Sequence, residues 1–277
     1  MSRYAQMFER LRSSGEGALG TFVMLGDPDP PASARILDAL VVGGADMVEV
    51  GIPFSDPVAD GPVIQAAATR ALAAGVRTAD CFDIIAGFRA RHPHVPVGIL
   101  TYANLVVARG RKEFFRRAAE AGADSLLVAD LPALEAEPWA GEMLEADIEP
   151  VLIAAANTPE RTLERIAHLS RGYTYCVARA GITGNHAAGE FDPTLVQRLR
   201  HLGAAPPVFG FGISSPDHVR LALGAGAAGA ICGSAIVSRI ADASSPASAV
   251  APFVASLKAA TRPDSSRSRN ESYAQAV

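Results

Sequence analysis

The sequence predicts an α/β fold, a single (β/α)8 barrel of the TIM type. Three observations predict it. Eight short β-rich runs alternate with helical stretches along 277 residues. The runs are apolar with little strict alternation, as expected of strands covered by protein on both faces. No composition break marks a second domain, although a length of 277 at about 150 residues per domain allows two. Strand–helix repetition implies parallel pairing through right-handed crossovers. Eight such units close a barrel, and an open doubly wound sheet is the alternative.

In chain order, 2–13 reads as an extra N-terminal helix across the barrel bottom. The strand runs are 19–25 (LGTFVML), 46–50 (DMVEV), 95–101 (VPVGILT), 124–129 (DSLLVA), 149–153 (EPVLI), 173–177 (YTYCV), 207–211 (PVFGF) and 228–232 (AGAIC). Helical patterns lie near 32–42, 62–73, 78–92, 111–121, 136–146, 159–169, 193–202 and 216–224, with a last stretch or pair over 234–260. Pro216 after Ser214-Ser215, Pro159 after Thr158 and Pro193 after Asp192 suit first helical turns. Gly122 suits a helix C-terminus. The polar end of the chain reads as a disordered tail over 262–277, leaving 1–261 to the barrel.

Composition narrows the function. Hydrophobic residues make up 49% and charged residues 19%, which excludes a wholly disordered chain. A net charge of −4 argues against a basic nucleic-acid binder. Cys81, Cys176 and Cys232 are odd in number with no CxxC spacing, so a reducing, cytoplasmic setting is expected. The polar N-terminus has no apolar signal-peptide core. The longest uncharged run, 221–237, is short of a membrane span and Ala/Gly-rich. His92, His94, His168, His186, His201 and His218 show no metal spacing, so no metal is expected.

Chemistry concentrates in 46–65, DMVEVGIPFSDPVADGPVIQ. If Val48 and Val50 pack against helices, Glu49 points into the barrel near the strand's C-terminal end, where barrel active sites lie. A carboxyl buried there is pushed toward the neutral form and suits acid/base work. The competing reading is a satisfied core glutamate. Asp60 reads as a second carboxylate or as the N-cap of the helix at Pro62, and capping statistics favour the cap. Gly210-Phe211-Gly212 after strand seven and Gly233-Ser234 after strand eight match the usual phosphate-binding end of a barrel. Plain turn chemistry explains each glycine alone. Gly181-Ile182-Thr183-Gly184 supplies a third edge, inside a Gly/Ala-rich loop, 178–192, that reads as a lid or an ordinary surface loop. Tyr173 and Tyr175 share one strand face and line the mouth or fill the core.

With these residues in view, the chain resembles the α-subunit family of tryptophan synthase. The matching segments are FVMLGDP (22–28), VEVGIPFSDPVADGPVIQ (48–65), YANLV (102–106), VADLP (128–132), GYTYCVARAGITG (172–184), FGFGIS (209–214) and AGAAGAICGSAIV (225–237). The resemblance covers about 1–260. It implies retro-aldol cleavage of indole-3-glycerol phosphate to indole and glyceraldehyde 3-phosphate. It implies no cofactor in this chain, with pyridoxal phosphate only in a β subunit of an α2β2 assembly. By residue, it implies Glu49 as the acid/base, Asp60 at the indole nitrogen and Tyr175 in a positioning role. Gly184, Gly212, Gly233 and Ser234 would hold the phosphate. Phe22, Leu100, Tyr102, Leu127, Ala129, Ile153, Thr183, Phe211 and Ile231 would line the pocket, and Arg179 sits on the mobile loop. Asp56, Pro57, Asn104 and Pro132 match partner contacts. Met24, Val63 and the segments 154–158 and 185–192 depart from the family pattern. Two other readings share the fold: a free-standing indole-3-glycerol-phosphate lyase and a catalytically weak regulatory subunit.

Overall fold

A computed structural model of the chain describes residues 1–177 and 191–263. Among them the chain runs α1 (Arg3–Ser14), β1 (Ala18–Met24), α2 (Pro30–Val42), β2 (Met47–Gly51), α3 (Pro62–Ala73), α4 (Thr78–Arg91), β3 (Val97–Thr101), α5 (Ala103–Val107), α6 (Arg111–Glu120), β4 (Ser125–Val128) and α7 (Ala136–Glu145). It continues through β5 (Glu149–Pro150), β6 (Ile153–Ala155), α8 (Glu160–Leu169), β7 (Thr174–Val177), α9 (Pro193–His201), β8 (Pro207–Phe209), α10 (Pro216–Gly224), β9 (Gly229–Cys232), α11 (Ser234–Asp242) and α12 (Pro246–Ala259). Every recorded strand pair is parallel, in the order β5-β4-β3-β2-β1-β9-β8-β7-β6.

The expected closure of the last strand on the first is present, since β9 pairs with β1. The fifth expected strand is split into β5 and β6. Pro150 has no N–H to give a ladder. Immediately after it the chain changes neighbours: Val151 N–H donates to Leu126 O at 3.0 Å, while Leu152 O accepts from Tyr175 N–H at 3.1 Å. This one segment therefore bonds to β4 on one side and β7 on the other, and the ring closes through it. The fold is the TIM barrel that the alternating pattern predicts. The remaining lid residues, 178–190, and tail residues, 264–277, lie outside the described residues.

Two other differences have local causes. Helix α5 has no counterpart among the expected helices: it has five residues, too few for a period to show, and its Ala103 N–H is held by Asp130 Oδ1 at 2.7 Å from another loop. The last stretch is the pair that the sequence allows, α11 and α12, the second opening on Pro246. Pro159 takes the cap position of α8 rather than its first turn, and Thr158 Oγ1 accepts from Ala155 N–H instead of from the helix. By contrast Asp192 and Ser215 cap α9 and α10 as their spacing suggests. Gly122 follows α6 at φ +90°, the left-handed conformation expected of a terminating glycine.

The bottom of the barrel is fastened by two buried aspartates. Asp46 accepts from Leu19 N–H, Lys258 and Arg10; Asp124 accepts from Val97 N–H, Arg89 and Arg3. Arg10 and Arg3 belong to α1, so charge pairing docks that helix across the barrel floor. Tyr4 of α1 enters the core, 5.4 Å from the Tyr173 ring, with its hydroxyl 3.0 Å from Ser125 Oγ.

Candidate active site

Strand register builds the site. Phe22 pairs with Glu49, Leu100 with Leu127, and Ile153 with Tyr175. Residues in register share a face of a pleated sheet. The set therefore shares the inward face, with Leu100 and Leu127, in register with Gly51, one step nearer the carboxyl ends than Phe22 and Glu49, and Ile231, opposite Gly20, one step deeper. Leu100, Ala129, Ile153 and Phe211 are partly exposed toward the mouth, while Phe22, Tyr102, Leu127 and Ile231 are buried.

Glu49 is 3% exposed. Tyr173 donates its hydroxyl to Glu49 Oε1 at 2.6 Å, and Oε2 has no hydrogen-bond partner among the described residues. Burial raises the carboxyl from 4.5 to about 7, and the Tyr173 bond opposes only part of that rise. The satisfied-core reading thus fails at one oxygen. A buried carboxyl with one fixed and one unpartnered oxygen is held in place yet keeps one oxygen uncommitted for proton exchange.

Asp60 ends the loop after β2. The cap of α3 is Gly61, one residue later, so the capping reading of Asp60 is not what the chain adopts. Instead Asp60 N–H donates to Pro57 O at 3.1 Å, and Gln65 Nε2 donates to Asp60 O at 2.7 Å. Tyr102 hydrogen-bonds the Asp60 carboxylate while its hydroxyl accepts from Ala59 N–H at 3.2 Å. Burial raises Asp60 from 3.8 to about 6, with the Tyr102 bond working against the rise. The charges of Glu49 and Asp60 both act on Tyr175, raising its hydroxyl after burial has done so, which brings the three side chains into one neighbourhood.

Tyr175 donates to Gly210 O at 3.0 Å. A Cβ on Gly210 would collide with Tyr175 Cζ, so that glycine makes room for the tyrosine ring. Gly212 stands at φ +79° with open space where a side chain would be. Gly233 caps α11 and Ser234 is its first residue, with no side-chain cap hydrogen bond among the described residues. The first N–H groups of a helix lack intrahelical partners and favour an anion. Gly184, Thr183 and Arg179 lie outside the described residues.

Tyr173 is the site residue that sequence reasoning leaves among core aromatics. Parity places it on the face of Tyr175, but height along the barrel decides which tyrosine meets Glu49. Asp56, Pro57, Asn104 and Pro132 lie on the three rim segments after β2, β3 and β4, Asn104 within α5, and all but the half-buried Pro57 are exposed. Exposed Val58, Val107 and Leu134 sit on the same segments, Val107 at the end of α5, a signal that no motif carries. Among the described residues no cluster of His, Cys, Asp and Glu is placed to hold a metal, and no helix is long and apolar enough to cross a membrane.

Such an arrangement defines a TIM barrel with two buried carboxyls, Glu49 and Asp60, toward the C-terminal ends of its strands. The profile of one protein family, Tryptophan synthase alpha chain, matches residues 8–262. The tryptophan synthase alpha chain of Serratia proteamaculans is 49% identical, covering 95% of this chain and 100% of its own. That of Escherichia coli is 48% identical at the same coverage. Among solved structures, the tryptophan synthase subunit alpha of Legionella pneumophila superposes with a TM-score of 0.87 at 29% identity, covering 94% and 98% of the two chains. A structure of Mycobacterium tuberculosis tryptophan synthase gives 0.86 at 30% identity, covering 95% and 99%. The chain belongs to the tryptophan synthase alpha chain family.

Proposed function

We propose that the barrel, residues 1–261, cleaves indole-3-glycerol phosphate to indole and glyceraldehyde 3-phosphate. The observation that carries this reading is Glu49, buried beside Tyr173 with its second oxygen unpartnered among the described residues. The neutral carboxyl protonates indole C3. The resulting carboxylate takes the proton of the C3′ hydroxyl. The C3–C3′ bond then breaks, its electrons return to the indole ring, and the hydroxyl carbon becomes the aldehyde. Positive charge on the ring nitrogen is stabilised by ionised Asp60. A carboxyl near 7 serves both proton transfers at neutral pH. Tyr175 positions the ring, Tyr102 holds Asp60, and Gly212, Gly233 and Ser234 supply the described part of the phosphate cradle. Gly184, Thr183 and Arg179 complete the assignment, and the chemistry needs no cofactor in this chain.

The two pKa values set the pH dependence. Activity needs Asp60 ionised and Glu49 protonated at the outset. The kcat/KM profile of indole release is expected to fall below about 6 and above about 7. Asp60→Asn lowers the rate throughout and removes the acid limb. An unchanged acid limb in that variant would contradict the role of Asp60.

The rim supports a protein partner, assigned as a β subunit that carries pyridoxal phosphate and receives the indole in an α2β2 assembly in the cytoplasm. Val58, Val107 and Leu134 are 71%, 48% and 63% exposed on adjacent segments, beside Asp56, Pro57, Asn104 and Pro132. Clustered exposed apolar groups mark an interaction surface. Indole release by the purified chain, with and without a β subunit, tests the reading. Strong activation supports the assembly. High activity alone supports a free-standing lyase, and none in either condition supports a regulatory subunit. Val107→Asp is expected to leave the isolated rate unchanged and to weaken activation at least tenfold; full activation would remove this segment from the interface.

A further inference from the structure

Where the fifth strand changes neighbours, a cavity of about 210 Å³ opens behind it, between the sheet and α7. Its walls include Leu126 and Val128 of β4, Leu152 of the strand junction, and Trp139, Ala140 and Met143 of α7. The origin is topological. The ladder to β4 ends with Val151 N–H, the chain then turns to β7, and the space it leaves faces α7. Small residues keep the space open, since Ala140 packs with Ala136 and Leu169. The Trp139 wall is fixed: the Arg111 guanidinium lies 5.1 Å from the Trp139 ring centre and the Phe115 ring 6.4 Å away. The partly exposed Leu131 and Ala133 lie at its edge.

We propose that this cavity binds one compact, uncharged aromatic molecule of one or two rings. Its lining side chains carry no charge, and the indole N–H of Trp139 is their one polar group, so a charged group of a ligand would find no charged partner there. A cavity of about 150 Å³ lined by aliphatic and aromatic residues takes up benzene. The larger volume here admits a fused bicycle. Indole belongs to this class, and the cavity shares Ala129 and Ile153 with the substrate pocket described above, but the inference stands on the cavity and not on the reading of Glu49 and Asp60.

Trp139 is the chain's single tryptophan, so its fluorescence reports the site. Iodobenzene is the probe, because its heavy atom quenches an indole ring that it touches. Titration of the full chain is expected to give saturable quenching. Ala140→Leu, which fills the cavity, is expected to weaken the apparent affinity at least tenfold with the circular dichroism spectrum unchanged. If that variant does not fold, Ala140→Val carries the same comparison with a smaller shift. Quenching that rises linearly without saturation, or saturation unaffected by the filling substitution, overturns the proposal.

Discussion

Glu49→Gln is expected to lower indole release from indole-3-glycerol phosphate by at least about 10⁴-fold, on the order of 10² for each of the two proton transfers it serves. Substrate affinity is expected to stay within a few fold, because the amide keeps the shape and still accepts from Tyr173. Single-turnover indole formation and calorimetric binding separate the two effects. Turnover near that of the unaltered chain would remove Glu49 from the chemistry.

The same substitution has a stability signature of opposite sign. A carboxyl raised from 4.5 to about 7 on folding contributes stability that is fully present below 4.5 and is lost as pH rises through about 7. At about 1.4 kcal/mol per pH unit the loss is about 3 kcal/mol. The amide does not titrate, so the Glu49→Gln variant is expected to gain about 3 kcal/mol relative to the unaltered chain as pH rises from about 4.5 to about 8. Urea unfolding of both at pH 5 and pH 8 reads the difference. A chain made inactive and more stable by one amide has a carboxylate kept for function at the expense of the fold.

The sequence carries this site unequally. Glu49 is legible because strand parity and position along β2 are both local. The barrel is legible because eight strand–helix units leave few other topologies. Asp60 is misweighted between cap and carboxylate: capping statistics see only the neighbouring Pro62, whereas Gly61 takes the cap and Tyr102, far along the chain, engages the carboxylate. Tyr173 stays among core aromatics, since its partner lies 124 residues away and no periodicity reports height along a barrel. The split of the fifth strand is likewise nonlocal. EPVLI reads as one strand, and only the separation of β4 from β7 around the ring makes it serve two neighbours in succession.

Arg89→Met separates the two ends of the barrel. Arg89 donates to Gly122 O, His92 O, Val95 O and Asp124 Oδ2, with its side chain 13% exposed and that of Asp124 7% exposed. Methionine fills similar space but leaves these carbonyls and one face of a buried carboxylate without their donor. Breaking such a pair costs about 3–5 kcal/mol. At roughly 2–4 °C per kcal/mol for a large domain, Tm is expected to fall by about 10 °C. These contacts lie at the starts of β3 and β4, opposite the carboxyl ends where Glu49 and Asp60 face the mouth. Indole release measured well below the new Tm is therefore expected to stay within about twofold. A Tm within about 2 °C of the original, less than one kcal/mol on the same scale, would show that Arg3 and Val97 N–H suffice for Asp124. Lost activity with an intact circular dichroism spectrum would show instead that the floor of the barrel sets the geometry at its mouth, through the Tyr4–Tyr173–Glu49 stack that connects them.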